Sequence, residues 1–196
     1  MKYRFQALAF CPQCGAKYEV ENFDPAAAVF LCQSCGYDFY QHSAPSAVAV
    51  VPSALDPSQV LMITRRTPPN EGLLALPGGI LRHGEHPANA AVRETLEETT
   101  LRVRIDRLLC ATPVDYNYRG ARISMLELAY VMRPVVCNLA GVRTLEAARI
   151  DFLAVDELLA EPTRLAFPEQ SHVLEAYRRS LGGSIPNPWR NHAVSL

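Results

Sequence analysis

Three glutamates lie within one turn of a predicted helix, at a spacing that concentrates negative charge. Glu94, Glu97 and Glu98 occupy positions i, i+3 and i+4, so their carboxylates project from neighbouring points of the helix surface. Like charges at this spacing destabilise an isolated helix. A solvated acidic face is the commoner explanation of a glutamate pair taken alone, but three together predict a cation among them.

The expected cation is divalent. Arg93 stands four residues before Glu97 and neutralises part of the charge, but one guanidinium does not balance three carboxylates. Carboxylate oxygens favour Mg²⁺ or Mn²⁺, and Mg²⁺ usually combines one or two carboxylates with substrate phosphates. Upstream, Gly78 and Gly79 allow a metal or a phosphate to approach the backbone closely. The pattern therefore indicates phosphate chemistry.

The full spacing of these residues is more specific than the glutamates alone. Gly79 is followed by five residues, then Glu85, then seven residues, then the run from Arg93 to Leu101. This segment resembles the 23-residue box of the Nudix hydrolases. The resemblance covers most of residues 45 to 181 and implies an α+β Nudix fold, in which a mixed β-sheet is sandwiched between α-helices.

The resemblance also implies the roles of the acidic residues. Glu97 and Glu98 would be the chief ligands of a catalytic Mg²⁺ or Mn²⁺, together with the carbonyl group of Gly78. Glu94 would be a further ligand or the base that activates water. The reaction implied is metal-dependent hydrolysis of the diphosphate bond in a nucleoside diphosphate linked to another group.

Further positions carry weaker implications. Arg93 would orient the glutamates and Glu85 would support the site. Glu146 stands where related proteins often place a loop glutamate that binds metal or acts as a base, although an ordinary surface glutamate fits equally well. Thr95 replaces an expected aliphatic residue and Thr100 an expected glycine. A β-branched residue is poorly suited to a left-handed helix exit, so Thr100 predicts an altered exit and a retuned or impaired site.

The N-terminal region carries two Cys-x-x-Cys pairs. They are separated by 17 residues, which is typical of a four-cysteine structural zinc site. A redox dithiol or two disulfides are the alternatives. Together the pairs resemble a zinc ribbon, whose closed site would hold structure without doing chemistry. The four predicted zinc ligands are Cys11, Cys14, Cys32 and Cys35.

The remaining cysteine-region features fit this interpretation. Gly15 and Gly36 each follow the second cysteine of a pair, where the backbone must turn tightly around a thiolate. Cys110 and Cys137 lie alone in apolar sequence and are predicted to be small buried residues. This uneven use of cysteine favours metal binding in a reducing cytoplasm.

A zinc ribbon before a Nudix domain is similar to two branches of the family. The branch of FAD and ADP-ribose pyrophosphatases fits the Cys-Pro-x-Cys-Gly pair, Tyr40, Pro45 and the Leu165 to Phe167 segment. The NADH pyrophosphatases, which are the alternative, carry a Ser-Gln-Pro-Trp-Pro-Phe-Pro signature after the box, where this chain reads Ala111 to Tyr118. We therefore expect ADP-ribose or FAD as substrate, giving AMP and a phosphorylated product.

Two further alternatives concern the substrate region and the class of protein. Tyr116, Tyr118 and Arg119 could stack on a base or contact phosphate from a hairpin, or could simply pack. The chain could also be a non-catalytic module that senses a nucleotide. Retention of the four box glutamates argues against a sensor, and a Glu97→Gln variant separates the two because only an enzyme has hydrolysis to lose.

The secondary structure that must position these residues is mixed. Residues 47–51, 60–63, 101–111 and 123–132 read as strands, and 87–99 as a helix. The face of this helix that is suited to packing holds Ala88, Ala91, Val92, Thr95, Leu96 and Thr99. A hairpin tip is expected at 117–120, a short helix at 156–160 and an amphipathic helix at 168–181. The predicted domains are a zinc ribbon at 1–42, a Nudix domain at 43–181 and a tail at 182–196.

Composition narrows the class of protein. Nineteen basic and 20 acidic residues give a net charge of -1, so the balance predicts neither a nucleic-acid nor an anionic-membrane partner. No apolar run approaches the roughly 18 residues of a membrane span, and the N-terminus reads as mature protein. We expect a cytoplasmic enzyme acting on a small nucleotide derivative, with a homodimer possible by resemblance to its relatives.

Overall fold

The computed structural model describes residues 8–118, 121–135, 144 and 146–182. These residues divide into two compact units, with the division between Ser43 and Ala44. The sequence-based boundary between residues 42 and 43 lies one position away. Cys137, Arg119 and the predicted tail beyond Gly182 fall outside the described residues.

The N-terminal unit is a small antiparallel sheet beside two cysteine turns. Its strands are paired in the order β1, β2, β3. Cys11 and Cys32 are buried together with Tyr18 and Phe30 in its core. The strands are β1 (Phe23–Asp24), β2 (Val29–Leu31) and β3 (Asp38–Tyr40).

The C-terminal unit contains two further sheets. One has the order β10, β5, β6 and the other the order β7, β4, β9, β8. Strands β4 and β9 run parallel, whereas the other pairs are antiparallel, so the fold is mixed as predicted. The strands are β4 (Ala44–Val50), β5 (Gln59–Arg65), β6 (Leu74–Ala75), β7 (Gly78–Ile80), β8 (Val103–Tyr118), β9 (Ala121–Pro134) and β10 (Ala147–Ala154).

Both faces of the central strands are buried, which explains why their sequences are continuously apolar rather than alternating. Along β4, Ala47 and Ala49 belong to the cluster packed against helix α1 (Pro87–Thr99). Val48 and Val50 belong to the opposite cluster, which contains residues of α2 (Val155–Ala160) and α3 (Gln170–Leu181). Successive side chains of a strand point to opposite faces, so the sheet is sandwiched between helices and the predicted α+β class is confirmed.

Helix α1 has the bounds that the sequence predicts. Pro87 occupies its first position, where the missing amide hydrogen leaves no intrahelical bond unmade. The His86 ring accepts a hydrogen bond from the Ala88 backbone N–H at 3.2 Å. At the other end, the Thr100 N–H donates to the Leu96 carbonyl at 2.8 Å.

The expected alteration at the helix exit is wrong. Thr100 adopts the left-handed conformation, with φ 57° and ψ 5°, which is the conformation that glycine usually takes after a helix. The ordinary exit is therefore retained at the expense of local backbone strain, because a β-branched residue disfavours positive φ.

The buried face of α1 differs from the predicted apolar face. Leu96, predicted to pack, is 44% exposed, whereas Glu98 is only 8% exposed. Thr95 is fully buried, and its hydroxyl donates to the Ala91 carbonyl at 2.7 Å. This bond satisfies the hydroxyl within the helix, so threonine is accommodated where an aliphatic residue was expected.

The region beyond α1 follows the predicted order of elements. Strands β8 and β9 are antiparallel and pair as far as Tyr118 and Ala121, the expected place for a hairpin. Cys110 is half-buried and packs against the cluster beside α2 and α3. Among the described residues, no helix has the length and apolar character needed to cross a membrane.

Candidate functional site

The innermost carboxylate of the glutamate cluster belongs to Glu98. Its Oε2 accepts a hydrogen bond from the Gly78 backbone N–H at 2.8 Å. A Cβ added at Gly78 would overlap the Ala47 carbonyl oxygen and lie 2.7 Å from the Val48 Cα. Glycine at this position is therefore required for β7 to pair closely with β4 while its backbone faces Glu98.

Glu94 lies against the second glycine of the pair. A Cβ added at Gly79 would stand 2.6 Å from the Glu94 Oε1. The absence of a side chain thus leaves the space that this carboxylate occupies. The two consecutive glycines leave space for different neighbours. Gly78 leaves space for the backbone of β4, and Gly79 leaves space for the carboxylate of Glu94.

Arg93 connects the other carboxylates of the box. Its Nε and Nη2 atoms donate to the two oxygens of Glu85, each at 2.8 Å, a bidentate geometry that fixes both planes. Its Nη1 atom donates to Glu94 at 2.6 Å and to Glu97 at 3.0 Å. The structure therefore brings together Arg93, Glu85, Glu94 and Glu97.

Glu97 is the most exposed of these acids. Its carboxylate is 37% exposed and receives a second ion pair, from Arg82 at 3.0 Å. The Arg82 backbone N–H also donates to Glu85 at 2.9 Å. The loop before α1 is thereby tied to the helix by both side-chain and backbone contacts.

Glu146 lies at the surface near this cluster. Its backbone N–H donates to the Thr144 hydroxyl at 3.0 Å, and that hydroxyl lies 3.4 Å from the Glu97 carbonyl oxygen. Arg66 donates to the carbonyl of Ala147 at 3.0 Å and so holds the same segment. The negative charge of Glu146 raises the pKa of both Glu94 and Glu98.

The acids of the site differ in their ionisation. Burial raises the pKa of Glu98 to about 8, and the charges of Glu94 and Glu146 add to the rise, while the Gly78 N–H opposes it. Burial also raises the pKa of Glu94, against the opposing effect of Arg93. By contrast, hydrogen bonds from Arg93 and from the Arg82 backbone lower the pKa of Glu85 to about 2. Negative charge is thus least balanced at Glu98 and Glu94.

A cleft opens beside the buried glutamate. It encloses about 630 Å³ including its open mouth, and Gly78, Gly79 and Glu98 are among its lining residues. Tyr116, one of the three residues considered for substrate contact, also lines this cleft. The side chain of Tyr118, like Arg119, lies outside the described residues.

Several lining residues were not singled out from the sequence. Glu127 is a charged residue inside the apolar run Leu126 to Tyr130, and that interruption was the available signal. The others come together from distant parts of the chain, which no local pattern reports. The lining residues missed include Ser46, Arg65, Glu127 and Gln170.

The four cysteine sulfurs of the N-terminal unit form a separate cluster. Their Sγ atoms all lie within 4.8 Å of one another, with Cys11 to Cys35 at 3.8 Å and Cys14 to Cys32 at 3.7 Å. Four thiolates bound at about 2.3 Å in a tetrahedron around zinc lie about 3.8 Å apart. Disulfide sulfurs lie about 2.05 Å apart. The arrangement fits a zinc ion and excludes the disulfide alternative for these residues.

The cysteine turns also have the predicted backbone. Gly15 and Gly36 both have left-handed φ, at 75° and 73°. The Gly15 N–H donates to the Cys11 carbonyl and the Gly36 N–H to the Cys32 carbonyl, each at 2.9 Å. The two turns are therefore equivalent in backbone geometry, as expected of a zinc ribbon.

The mixed sheet between helices, with the glutamate-bearing helix following a strand that begins with two glycines, defines a Nudix-type domain. Comparison with known proteins agrees, since residues 44–177 match the family model described as the NUDIX domain. The chain belongs to the Nudix family.

Relatives in sequence and in structure support this assignment. An ADP-ribose pyrophosphatase of Methanocaldococcus jannaschii is 34% identical over 97 residues, which span 49% of this chain and 56% of that protein. A Nudix hydrolase structure from Nitrosomonas europaea is similar at a TM-score of 0.62 and 22% identity, covering 88% of this chain and 93% of that one. The Nudix domain of Shewanella oneidensis NrtR, complexed with ADP-ribose, has a TM-score of 0.56 and 19% identity, covering 82% and 95%.

Proposed function

We propose that this chain is a pyrophosphohydrolase that requires Mg²⁺ or Mn²⁺ and cleaves the diphosphate bond of a nucleoside diphosphate derivative. ADP-ribose or FAD is the preferred substrate, and the products are AMP and a phosphorylated second group. The observation that carries the proposal is the position of Glu98, whose carboxylate accepts from the Gly78 N–H beside a cleft that Gly78, Gly79 and Glu98 line. Glu94 lies against Gly79, and Arg93 links Glu94 to Glu97.

The donor set of the site fits a divalent cation. Burial and neighbouring negative charge make Glu98 and Glu94 costly to ionise. Arg93 donates to Glu94, whereas the donor to Glu98 is the Gly78 backbone N–H. Carboxylate oxygens of this kind are the ligands that Mg²⁺ and Mn²⁺ prefer. We propose Glu94, Glu97, Glu98 and the Gly78 carbonyl as the metal ligands, with Glu146 as an additional ligand from its loop.

The residues of the box divide the catalytic work. A bound divalent ion would offset charge developing on the phosphoryl groups and lower the pKa of an attacking water. Glu94 accepts the proton of that water if it does not ligate the metal directly. Arg93 keeps Glu94 and Glu97 oriented, and its bidentate pair with Glu85 anchors the guanidinium.

The substrate preference draws on the relatives. The Methanocaldococcus jannaschii relative is an ADP-ribose pyrophosphatase, and the Shewanella oneidensis domain is complexed with ADP-ribose. The sequence match spans only 56% of the former protein, so the activity assigned to this chain is a proposal. The preference for FAD rests on the sequence alone. The cysteine pairs and the Leu165 to Phe167 segment resemble those of the FAD and ADP-ribose pyrophosphatases.

The test is a substrate panel on the purified full-length chain. ADP-ribose, FAD, NADH and diadenosine compounds are each incubated with Mg²⁺ or Mn²⁺, and the products are identified by chromatography. We expect AMP and ribose 5-phosphate from ADP-ribose, and no turnover when the divalent ion is withheld. Failure to release a monophosphate from any of these compounds would contradict the proposal.

Two variants make the panel decisive. Glu97→Gln removes a proposed ligand and should lose hydrolysis, whereas Glu157→Gln changes an exposed glutamate on α2 and should retain it. A nucleotide sensor would show no hydrolysis in any of the three proteins. The panel therefore separates an enzyme from the non-catalytic alternative.

We further propose that Cys11, Cys14, Cys32 and Cys35 hold a structural Zn²⁺, on the strength of their sulfur spacing. The expected cytoplasmic location, the possible homodimer and the expected lack of a nucleic-acid partner stay predictions from the sequence. Gel filtration with light scattering tests the oligomeric state directly.

A further inference from the structure

Two buried polar side chains stand side by side on the sheet and line the cleft. Ser46 on β4 and Glu127 on β9 are register partners across the parallel strand pair. They are 3% and 6% exposed, respectively. Among the described residues, neither the Ser46 hydroxyl oxygen nor the Glu127 Oε1 has a hydrogen-bond partner.

Such atoms are uncommon in protein interiors, because a buried polar atom without a partner loses its hydrogen bonds to water and gains nothing in return. Two of them on adjacent strands, both lining the same cleft as Glu98, indicate a ligand that supplies the missing bonds. Neither residue belongs to the glutamate box.

The surroundings of the pair orient Glu127 towards the cleft. A hydrogen bond from the Gln170 side chain reaches the Glu127 carboxyl group, and the Gln170 Oε1 in turn accepts from the Leu76 backbone N–H at 3.0 Å. Gln170 is thus held by the backbone and fixes one side of the carboxyl group. The other oxygen is left to face the ligand.

The rest of the lining suits a flat aromatic ring. Tyr116 and Phe167 line the cleft with ring centroids 5.6 Å apart, and the Arg65 guanidinium lies 5.2 Å from the Phe167 centroid. Val48 and Met125 add apolar surface. Aromatic and guanidinium planes are the surfaces on which nucleobases stack in proteins.

We infer that Ser46 and Glu127 recognise the polar edge of a nucleobase that carries an exocyclic amino group beside a ring nitrogen, as adenine and cytosine do. The Glu127 Oε1 accepts a hydrogen bond from the amino group, and the Ser46 hydroxyl donates to the ring nitrogen. This inference rests on the proposed function and assigns the base-recognising residues of the same site.

The Glu127 carboxyl group is best satisfied by a ligand group that donates a hydrogen bond. Burial raises the pKa of Glu127 to about 7, with the Gln170 hydrogen bond opposing the rise. Whether ionised or protonated, the carboxyl group retains an acceptor oxygen. An amino group therefore satisfies this side chain, whereas a base without a donor leaves the oxygen unpaired.

The test compares two nucleotides that differ only in the amino group. AMP and purine riboside 5′-monophosphate are titrated calorimetrically into the full-length protein with Mg²⁺ present. We expect wild-type protein to bind AMP about 10-fold more tightly, the effect of one hydrogen bond to a carboxyl group. Glu127→Leu should lose that preference by weakening AMP binding alone, and Glu157→Gln should keep it.

A second variant covers the case in which Glu127→Leu fails to fold. Glu127→Gln keeps an acceptor oxygen of similar position and should retain part of the preference for AMP, while Ser46→Ala should weaken AMP binding. Equal binding of the two nucleotides by wild-type protein would overturn the inference. So would a variant series in which both affinities fall together, because that result describes a structural role.

The ribose hydroxyls are the other hydrogen donors of such a substrate, and 2′-deoxy-AMP distinguishes them. Base recognition would be overturned if 2′-deoxy-AMP bound more weakly than AMP while purine riboside 5′-monophosphate bound as tightly as AMP. Hydrolysis of ADP-ribose is measured on the same samples. If the protein prefers AMP over purine riboside 5′-monophosphate but does not hydrolyse ADP-ribose, only the proposed reaction is refuted. If it hydrolyses ADP-ribose but shows no such preference, only the role of Ser46 and Glu127 is refuted.

Discussion

The backbone N–H of Gly78 donates to the carboxylate of Glu98 at 2.8 Å, joining residues that are 20 positions apart. The contact couples the first residue of β7 to the last turn of α1. It also holds the most buried acid of the box where it lines the cleft. The placement of this acid depends on a backbone group, which most substitutions leave unchanged.

Replacing Glu98 should separate catalysis from folding. Glu98→Gln keeps an oxygen that accepts the Gly78 N–H but removes the negative charge proposed to bind the metal. We expect kcat for ADP-ribose hydrolysis to fall at least about 100-fold, with the melting temperature unchanged or raised, because a neutral amide replaces a buried carboxyl group that is costly to ionise. Steady-state kinetics and calorimetry measure the two effects. Activity within tenfold of wild type would show that Glu98 is not a metal ligand.

The sequence predicted the bounds of α1 because the relevant signals are local. Pro87 sets the helix start, the apolar spacing sets its length, and the bounds 87–99 agree with the structure. The i, i+3 and i+4 spacing places the glutamates on one face irrespective of the surrounding fold.

The features that the sequence missed are those that depend on pairing between distant segments. Burial of Glu98 in place of Leu96 follows from the Gly78 contact, which no helical periodicity encodes. Ser46 and Glu127 become neighbours only through the register of β4 and β9. A lone glutamate in an apolar strand signals an unusual environment, but it does not identify its partner.

Thr100 offers a prediction about stability. Its left-handed conformation, at φ 57°, costs a β-branched residue about 1 to 2 kcal/mol. Thr100→Gly should therefore raise the free energy of unfolding by about 1 kcal/mol, after allowance for the greater freedom of glycine in the unfolded chain. Thr100→Ala retains a Cβ and should give a smaller gain. Urea denaturation followed by circular dichroism measures both, and a destabilised glycine variant would contradict the strain.

Removing one cysteine should disrupt the N-terminal unit and leave the other unit folded. Cys14→Ser takes one thiolate from the four-sulfur cluster, and structural zinc sites contribute directly to folding. We expect zinc to fall from about one ion per chain to a small fraction, measured by mass spectrometry of metals. Limited proteolysis should then cleave within residues 8–43 and spare the Nudix domain. Cys110→Ser is the matched control, because Cys110 lies outside the cluster, and it should retain zinc.

Gly78 and Gly79, the first two residues of β7, should respond differently to the same substitution. In Gly79→Ala, the new Cβ would lie 2.6 Å from the Glu94 Oε1, and a side-chain carboxylate can move away. Activity should therefore fall by about 10- to 100-fold through displacement of Glu94, with a loss of stability below about 1 kcal/mol. In Gly78→Ala, the Cβ meets the backbone of Ala47 and Val48, which cannot move without breaking the pairing of β7 with β4. That variant should lose about 2 kcal/mol or more of unfolding free energy, measured by urea denaturation. Equal stability of the two variants would contradict this prediction, because it requires that the Glu94 side chain can move and that the backbone of Ala47 and Val48 cannot.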